Sequence, residues 1–231
     1  MKKMIGMTAA FLVCLVPQVL AGTLSGKAMF TGTAPAAQKI SMDADPTCAG
    51  LNPDPVFVED VVVNADGTLR NVFVYVKEGL AAGPFEKPST PASINQQGCR
   101  YRPHVFGMQV GQDLEILNSD ATLHNVHGMP LNTKEFNLGM PIQGMKLKRK
   151  FDKEEVMVKF KCDVHPWMNA YIGVLPHPFF SVTGDDGAFA IQNLPAGSYV
   201  VEAWHEKYGV QTQQITVDEA GAATADFTFA G

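Results

Sequence analysis

Apolar residues in this chain come in short alternating blocks, and turn residues interrupt them about every ten positions, a spacing too tight for helices and suited to short strands. Val61-Val62-Val63-Asn64 and Asn71-Val72-Phe73-Val74-Tyr75-Val76 flank Ala65-Asp66-Gly67, the signature of a hairpin. Gln109 to Leu117 reads as a turn followed by a strand, and Val156 to Lys161 alternates cleanly. After Leu175-Pro176-His177-Pro178, a seam marked by two prolines, further alternating blocks are divided by Gly184-Asp185-Asp186-Gly187 and Leu194-Pro195-Ala196-Gly197. The expectation is an all-β protein built as a sandwich or a barrel, with 176–231 as a small β-module leaning on the rest. Glu78 to Gln97, rich in Pro, Ala, Gly and Ser, reads as a long surface loop. A hydrophobic share of 46 % supplies a core and excludes a disordered chain, while a net charge of −5 gives no basic field for nucleic acid.

The N-terminus bears on compartment. Lys2 and Lys3, an apolar run through Leu20 and the small residues Ala21-Gly22 read as a secretory signal over 1–21, cut after Ala21. A retained anchor and a lipoprotein are the alternatives, the second weakened because Cys14 lies inside the apolar run. A periplasmic or secreted protein is expected, with no integral membrane segment once the signal is removed. Of the four cysteines, Cys48, Cys99 and Cys162 then remain in an oxidising compartment. Cys162 sits in a motif with another use, so Cys48 and Cys99 are the expected disulfide, stabilising by about 4 kcal/mol in the chain-entropy model.

That motif is Cys162-Asp163-Val164-His165-Pro166-Trp167-Met168, in which a thiol, an imidazole and a thioether stand three residues apart between two strands. Upstream, His124-Asn125-Val126-His127 offers a second imidazole at the end of another strand. One Cys, two His and a weak Met form the ligand set of a mononuclear copper site that transfers electrons, because soft sulfur suits Cu(I) and imidazole suits both Cu(I) and Cu(II). Zinc accepts the same Cys and His donors, although structural zinc sites ordinarily close without methionine. His104, His177 and His205 read as structural, and Met129, Met140 and Met145 as apolar packing. Lys146, Lys148, Arg149 and Lys150 read as a solvated strand and turn.

The two motifs together resemble the cupredoxins, nearest to the amicyanin and plastocyanin-like copper domains, over roughly residues 106–175. The resemblance implies a Greek-key β-sandwich with copper near one end, held by His124, Cys162, His165 and Met168. It also implies that Asn125 hydrogen-bonds across to the ligand loop, and it favours His124 over His127 because the asparagine follows it. The tail, through Gly187-x-Phe189 and Leu194-Pro195-Ala196-Gly197-x-Tyr199, resembles carboxypeptidase regulatory-like, or transthyretin-like, modules. The whole arrangement is similar to exported bacterial proteins of the methylamine-utilisation or plastocyanin-like kind. The expected organisation is therefore a signal at 1–21, a cupredoxin-like domain with an N-terminal extension at 22–175, and the module at 176–231.

Four protein ligands leave no position for a substrate, so the expected function is an exported electron carrier and not an enzyme. Its partner would be a redox protein such as a cytochrome or dehydrogenase, met at the exposed edge of His165 with Pro166 and Trp167 in the docking face. The alternative from another class is periplasmic copper binding for sequestration or delivery.

Overall fold

A computed structural model describes residues 21–218 and 221–231. The expected signal segment, apart from Ala21, lies outside the described residues, as does Cys14. Among the described residues no helix is long and apolar enough to cross a membrane.

The order along the chain opens with β1 (Ala21–Thr31), α1 (Pro46–Leu51), β2 (Phe73–Glu78), β3 (Ala92–Gln96), β4 (Tyr101–Arg102) and β5 (Val105–Gln109). There follow β6 (Leu114–Asn118), β7 (His124–Met129), β8 (Phe136–Met140), β9 (Lys146–Arg149), β10 (Glu155–Lys161) and β11 (Asn169–Leu175). The chain closes with β12 (Phe180–Val182), β13 (Ala188–Pro195), β14 (Gly197–His205), β15 (Gly209–Val217), β16 (Ala222–Thr224) and β17 (Phe227–Ala230). The protein is all-β, as the alternating pattern requires.

Four sheets make two sandwiches. In the first, a five-stranded sheet ordered β5-β11-β10-β7-β8 faces a four-stranded sheet ordered β4-β3-β6-β9. Strand β6 alternates buried and half-buried positions, so Leu114 and Ile116 enter a core shared with Phe160, Ile172 and Val174 from the facing sheet. Burying each such side chain stabilises by roughly 1.5–3 kcal/mol.

The second sandwich sets β13-β1-β16, with β17 also on β1, against β12-β2-β14-β15. The 176–231 stretch supplies β12 to β17, and the remaining two strands, β1 and β2, come from the N-terminal part. Strand β1 runs parallel to β16 and β17 and antiparallel to β13. Leu24, Phe30, Phe189, Phe227 and Phe229 fill this second core.

The two sandwiches meet where β2 lies over β5 and β11. Phe73, Tyr75, Val105 and Leu175 are buried there with Phe180 and Trp204 against them. Two glycines permit the approach: a Cβ on Gly173 would lie 2.3 Å from the Phe73 ring, and one on Gly107 would lie 2.4 Å from the Phe180 ring. At one margin His104 Nε2 meets the Glu206 carboxylate, while His104 Nδ1 lies 3.2 Å from the Asn169 carbonyl.

Burial works against a charged His104, but the Glu206 carboxylate outweighs it and raises the ring above its ordinary 6.5. A histidine raised on folding stabilises fully below its unfolded pKa, and that stabilisation disappears as pH rises through the folded value. Urea unfolding of the parent should therefore lose stability relative to His104→Gln as pH is raised from 6.5 upward. Parallel pH profiles for the two chains would remove His104–Glu206 as a contributor.

Three local expectations need correction. Asp66-Gly67 does turn, with Gly67 at φ 82°, but Val61–Asn64 contributes only a single bridge, Val63 to Leu69. Asn71 takes φ 60°, which leads the chain out of the extended conformation before a second ladder rung forms. The surface loop at 78–97 ends in a strand, since β3 runs parallel to β6 and buries Ile94 and Gln96. Polar Ser93, Asn95 and Gln96 hide that strand from a hydrophobicity reading. The short helix α1 was also not expected; Asp45 caps it, accepting from the Thr47 and Cys48 N–H groups, with Pro46 opening the first turn.

Candidate metal centre

One end of the first sandwich gathers three segments: the turn from β6 into β7, the loop from β10 into β11, and the start of α1. His124 is the first residue of β7 and pairs with Met140 of β8, which fixes its direction into the core. Lys161 ends β10 opposite His127, so Cys162 leaves the sheet next to that strand. The loop closes on itself through Cys162 N–H to the Met168 carbonyl at 3.1 Å and Met168 N–H to the His165 carbonyl at 2.9 Å. Asn125 joins the two loops: its Oδ1 accepts from Asp163 N–H at 2.8 Å and from the Cys162 thiol at 3.2 Å.

His124, Cys162 and His165 come together with 0 %, 3 % and 2 % exposure. His124 Nδ1 lies 2.9 Å from His165 Nδ1, and Cys162 Sγ lies 3.9 Å from His165 Nδ1. All three donor atoms fall within 4.8 Å of one another.

A carboxylate holds the far side of each ring. Asp120 Oδ2 is 3.0 Å from His124 Nε2, and Asp45 Oδ2 is 3.0 Å from His165 Nε2. Asp120 is itself oriented by the Gly98 and Cys99 N–H groups, and Asp45 by Thr47 and Cys48 N–H and the Thr122 hydroxyl. An ionised carboxylate only accepts, so each Nε2 donates and each neutral ring turns its Nδ1 lone pair toward Cys162. Two such lone pairs 2.9 Å apart repel unless a proton or a cation lies between them.

Without metal, a proton fills that role. Burial opposes charge on His124, yet its bonds to Asp120 and Cys162 lift it to about 9. Burial pushes the Cys162 thiol up, but the His124 contact and backbone N–H groups bring it below its usual value. The His165 contact, acting against burial, holds Asp45 down at about 2. The pocket thus favours a thiolate beside a positive charge, which a soft metal ion supplies as well as imidazolium does.

The other expected residues are placed as follows. Met168 is buried at 1 % exposure in the first core, and its backbone closes the loop as described. Met140 Sδ accepts from Gln96 Nε2 at 3.0 Å. His127 stands outside the cluster, bridging Asp163 at 3.0 Å and Glu135 at 2.5 Å. The expected disulfide is present between Cys48 and Cys99.

The exposed edge expected for His165 is not found. Asp45 and Cys48 cover it, Cys48 Sγ lying 3.6 Å from Nε2, and the Trp167 ring sits 5.1 Å away with its N–H bonded to the Cys99 carbonyl. The surface residues beside the His124–Cys162–His165 cluster are instead Leu123, Val164 and Pro166, all exposed. The sequence reading missed Asp45 and Asp120. Asp120 stands four residues before His124 and Asp45 precedes a proline, but only the fold turns either carboxylate onto an imidazole.

Comparison with known proteins gives partial matches. The carboxypeptidase regulatory-like domain family model matches residues 166–230, a stretch that includes β11 of the first sandwich. No curated protein matches the chain. Among solved structures, a copper-containing nitrite reductase from Thermus scotoductus SA-01 is similar at 20 % identity and a TM-score of 0.35, over 42 % of this chain and 25 % of that one. A purple cupredoxin from Nitrosopumilus maritimus is similar at 24 % identity and a TM-score of 0.31, over 36 % of this chain and 98 % of that one. An oxidised amicyanin variant is similar at 17 % identity and a TM-score of 0.33, over 44 % of this chain and 97 % of that one.

Proposed function

We propose that this centre holds one copper ion through His124 Nδ1, His165 Nδ1 and Cys162 Sγ, with the Met168 thioether as fourth donor, and that the protein is an exported electron carrier and not an enzyme. The observation that carries the reading is the facing pair of Nδ1 atoms, 2.9 Å apart beside a thiol, with both Nε2 atoms committed to carboxylates. One thiolate and two imidazoles with a weak thioether match a copper set better than a closed zinc set. Copper held there supplies a one-electron Cu(I)/Cu(II) couple.

The chain's own part is to hold the donors still. Asp45 and Asp120 fix the ring orientations, Asn125 ties the thiol's loop to β7, and the bridge at Cys48–Cys99 keeps α1 over His165. Rigid donors keep the rearrangement between oxidation states small. A redox protein such as a cytochrome or dehydrogenase would dock over exposed Leu123, Val164 and Pro166, since His165 itself is covered. In this reading 1–21 is removed on export, and the units 22–175 and 176–231 stay joined because β1 and β2 complete the second sandwich.

Copper loading followed by visible absorption and electron paramagnetic resonance tests the proposal. One copper per chain with an intense thiolate-to-copper band and narrow hyperfine splitting is the expected result; a colourless loaded protein overturns it. Rapid surrender of copper to a chelator, without repeated redox cycling, would favour delivery over electron transfer. Asp120→Asn should weaken copper binding by about tenfold to a hundredfold, measured by chelator competition, because the oriented imidazole loses its acceptor. Unchanged competition would remove Asp120 from the proposed site.

A further inference from the structure

The imidazoles of His124 and His165 have a second side, and it is equipped with donors. Asp45, Cys48 and His165 form one group of ligand atoms within 4.8 Å, and Cys99, Asp120 and His124 form another. The Cys48–Cys99 bond joins the two groups. Both sulfurs are fully buried, Asp120 is 2 % exposed, and Cys48 Sγ lies 3.6 Å from His165 Nε2. This side lies across both rings from Cys162, because the Nδ1 atoms face one way and the Nε2 atoms the other.

We propose that the Cys48–Cys99 bond occupies a second metal site, which opens when the bond is reduced and then takes a thiophilic divalent ion of the zinc and cadmium class. As a disulfide the two sulfurs carry no charge and bind such ions poorly. A dithiol reagent breaks the S–S bond by giving two electrons and two protons and becomes a disulfide itself. The ion then displaces both thiol protons and is held by the two thiolates, and closing on it brings in the Asp45 carboxylate from beside Cys48 and the Asp120 carboxylate from beside Cys99. That is a four-donor set suited to tetrahedral zinc or cadmium. Backbone N–H groups of Thr47, Cys48, Gly98 and Cys99 already orient the carboxylates. The ion restores the link across 51 residues of sequence that the disulfide otherwise makes. The proposal goes beyond the copper reading and does not depend on it.

The test uses the full chain carrying Cys14→Ser and Cys162→Ser, so that Cys48 and Cys99 are its only thiols. The chain is reduced with a dithiol, freed of reductant without air, and titrated with cadmium ion. One cadmium per chain with thiolate-to-cadmium ultraviolet absorption is expected, and none in the air-oxidised chain. Adding Asp45→Asn and Asp120→Asn should weaken binding by about tenfold or more, since charged donors are lost. No cadmium uptake overturns the proposal, as does equal affinity in the Asn variants or in concentrated urea, which would describe a bare dithiol. Should reduction unfold the chain, recovery of the β-sheet circular dichroism on adding cadmium supports the site, and failure to recover overturns it. The copper reading is tested in the oxidised chain with Cys162 intact, so the two can fail separately.

Discussion

Replacing Cys162 with serine will remove the intense visible colour of the copper-loaded chain entirely. The colour of such a centre arises from charge transfer between thiolate sulfur and copper, and Cys162 is the one unbridged cysteine among the described residues. A serine hydroxyl stays protonated at neutral pH and is a hard donor, so it replaces neither the charge nor the softness of the thiolate. The two imidazoles remain in place, because Asp45 and Asp120 hold their Nε2 atoms independently of the sulfur. Copper(II) bound to the variant should therefore be pale, with a wide hyperfine splitting typical of nitrogen and oxygen donors. The fold should survive, since Asn125 still accepts from Asp163 N–H and the loop retains its backbone bonds. A serine variant that keeps the band would show the colour to come from elsewhere and would remove Cys162 from the ligand set.

Phe73→Ala will cost about 3–5 kcal/mol in urea unfolding, the range for truncating a buried aromatic ring. Phe73 is fully buried where the sandwiches meet, stacked 5.7 Å from Phe180 and set against Gly107 and Gly173. The backbones under those glycines cannot move into the vacated volume without breaking the β5–β11 ladder, so the cavity persists. The converse change, Gly173→Ala, drives a methyl to 2.3 Å from the same ring and should cost about 1–3 kcal/mol by overpacking. A loss below about 1 kcal/mol for Phe73→Ala would mean that the two bodies slide together, and would contradict a fixed contact.

Much of this architecture was legible in residue pattern. The alternation at 156–161, the seam near Pro176 and the turns at Gly187 and Gly197 announced an all-β chain, because a period of two survives translation into a half-buried strand. Cys162, His165 and His124 were legible as partners because ligand chemistry restricts the residue types that serve. What stayed hidden depended on long-range placement. Asp120 and Asp45 are ordinary surface-type residues until one loop and one helix cap turn them onto buried nitrogens. The covered edge of His165 escaped for the same reason: its cover comes from Asp45 and Cys48, more than a hundred residues upstream. Strand β3 was missed because polar side chains mask a parallel pairing that only β6 dictates.

The placement of β1 bears on how such a chain reaches its native state. The Lys27 N–H donates to the Asp226 carboxylate across 199 residues, and between the two lies the entire first sandwich. The first sandwich is in effect inserted into the second, whose earliest strand must wait for its latest. Contacts so distant in sequence fold slowly, while the inner body has what it needs once β11 is made. A protease cut or premature stop near residue 175 would therefore leave an assembled inner sandwich trailing two unpaired β-strands, β1 and β2, with edges open to other chains. Aggregation, not loss of the His124–Cys162–His165 cluster, is the vulnerability this nesting creates.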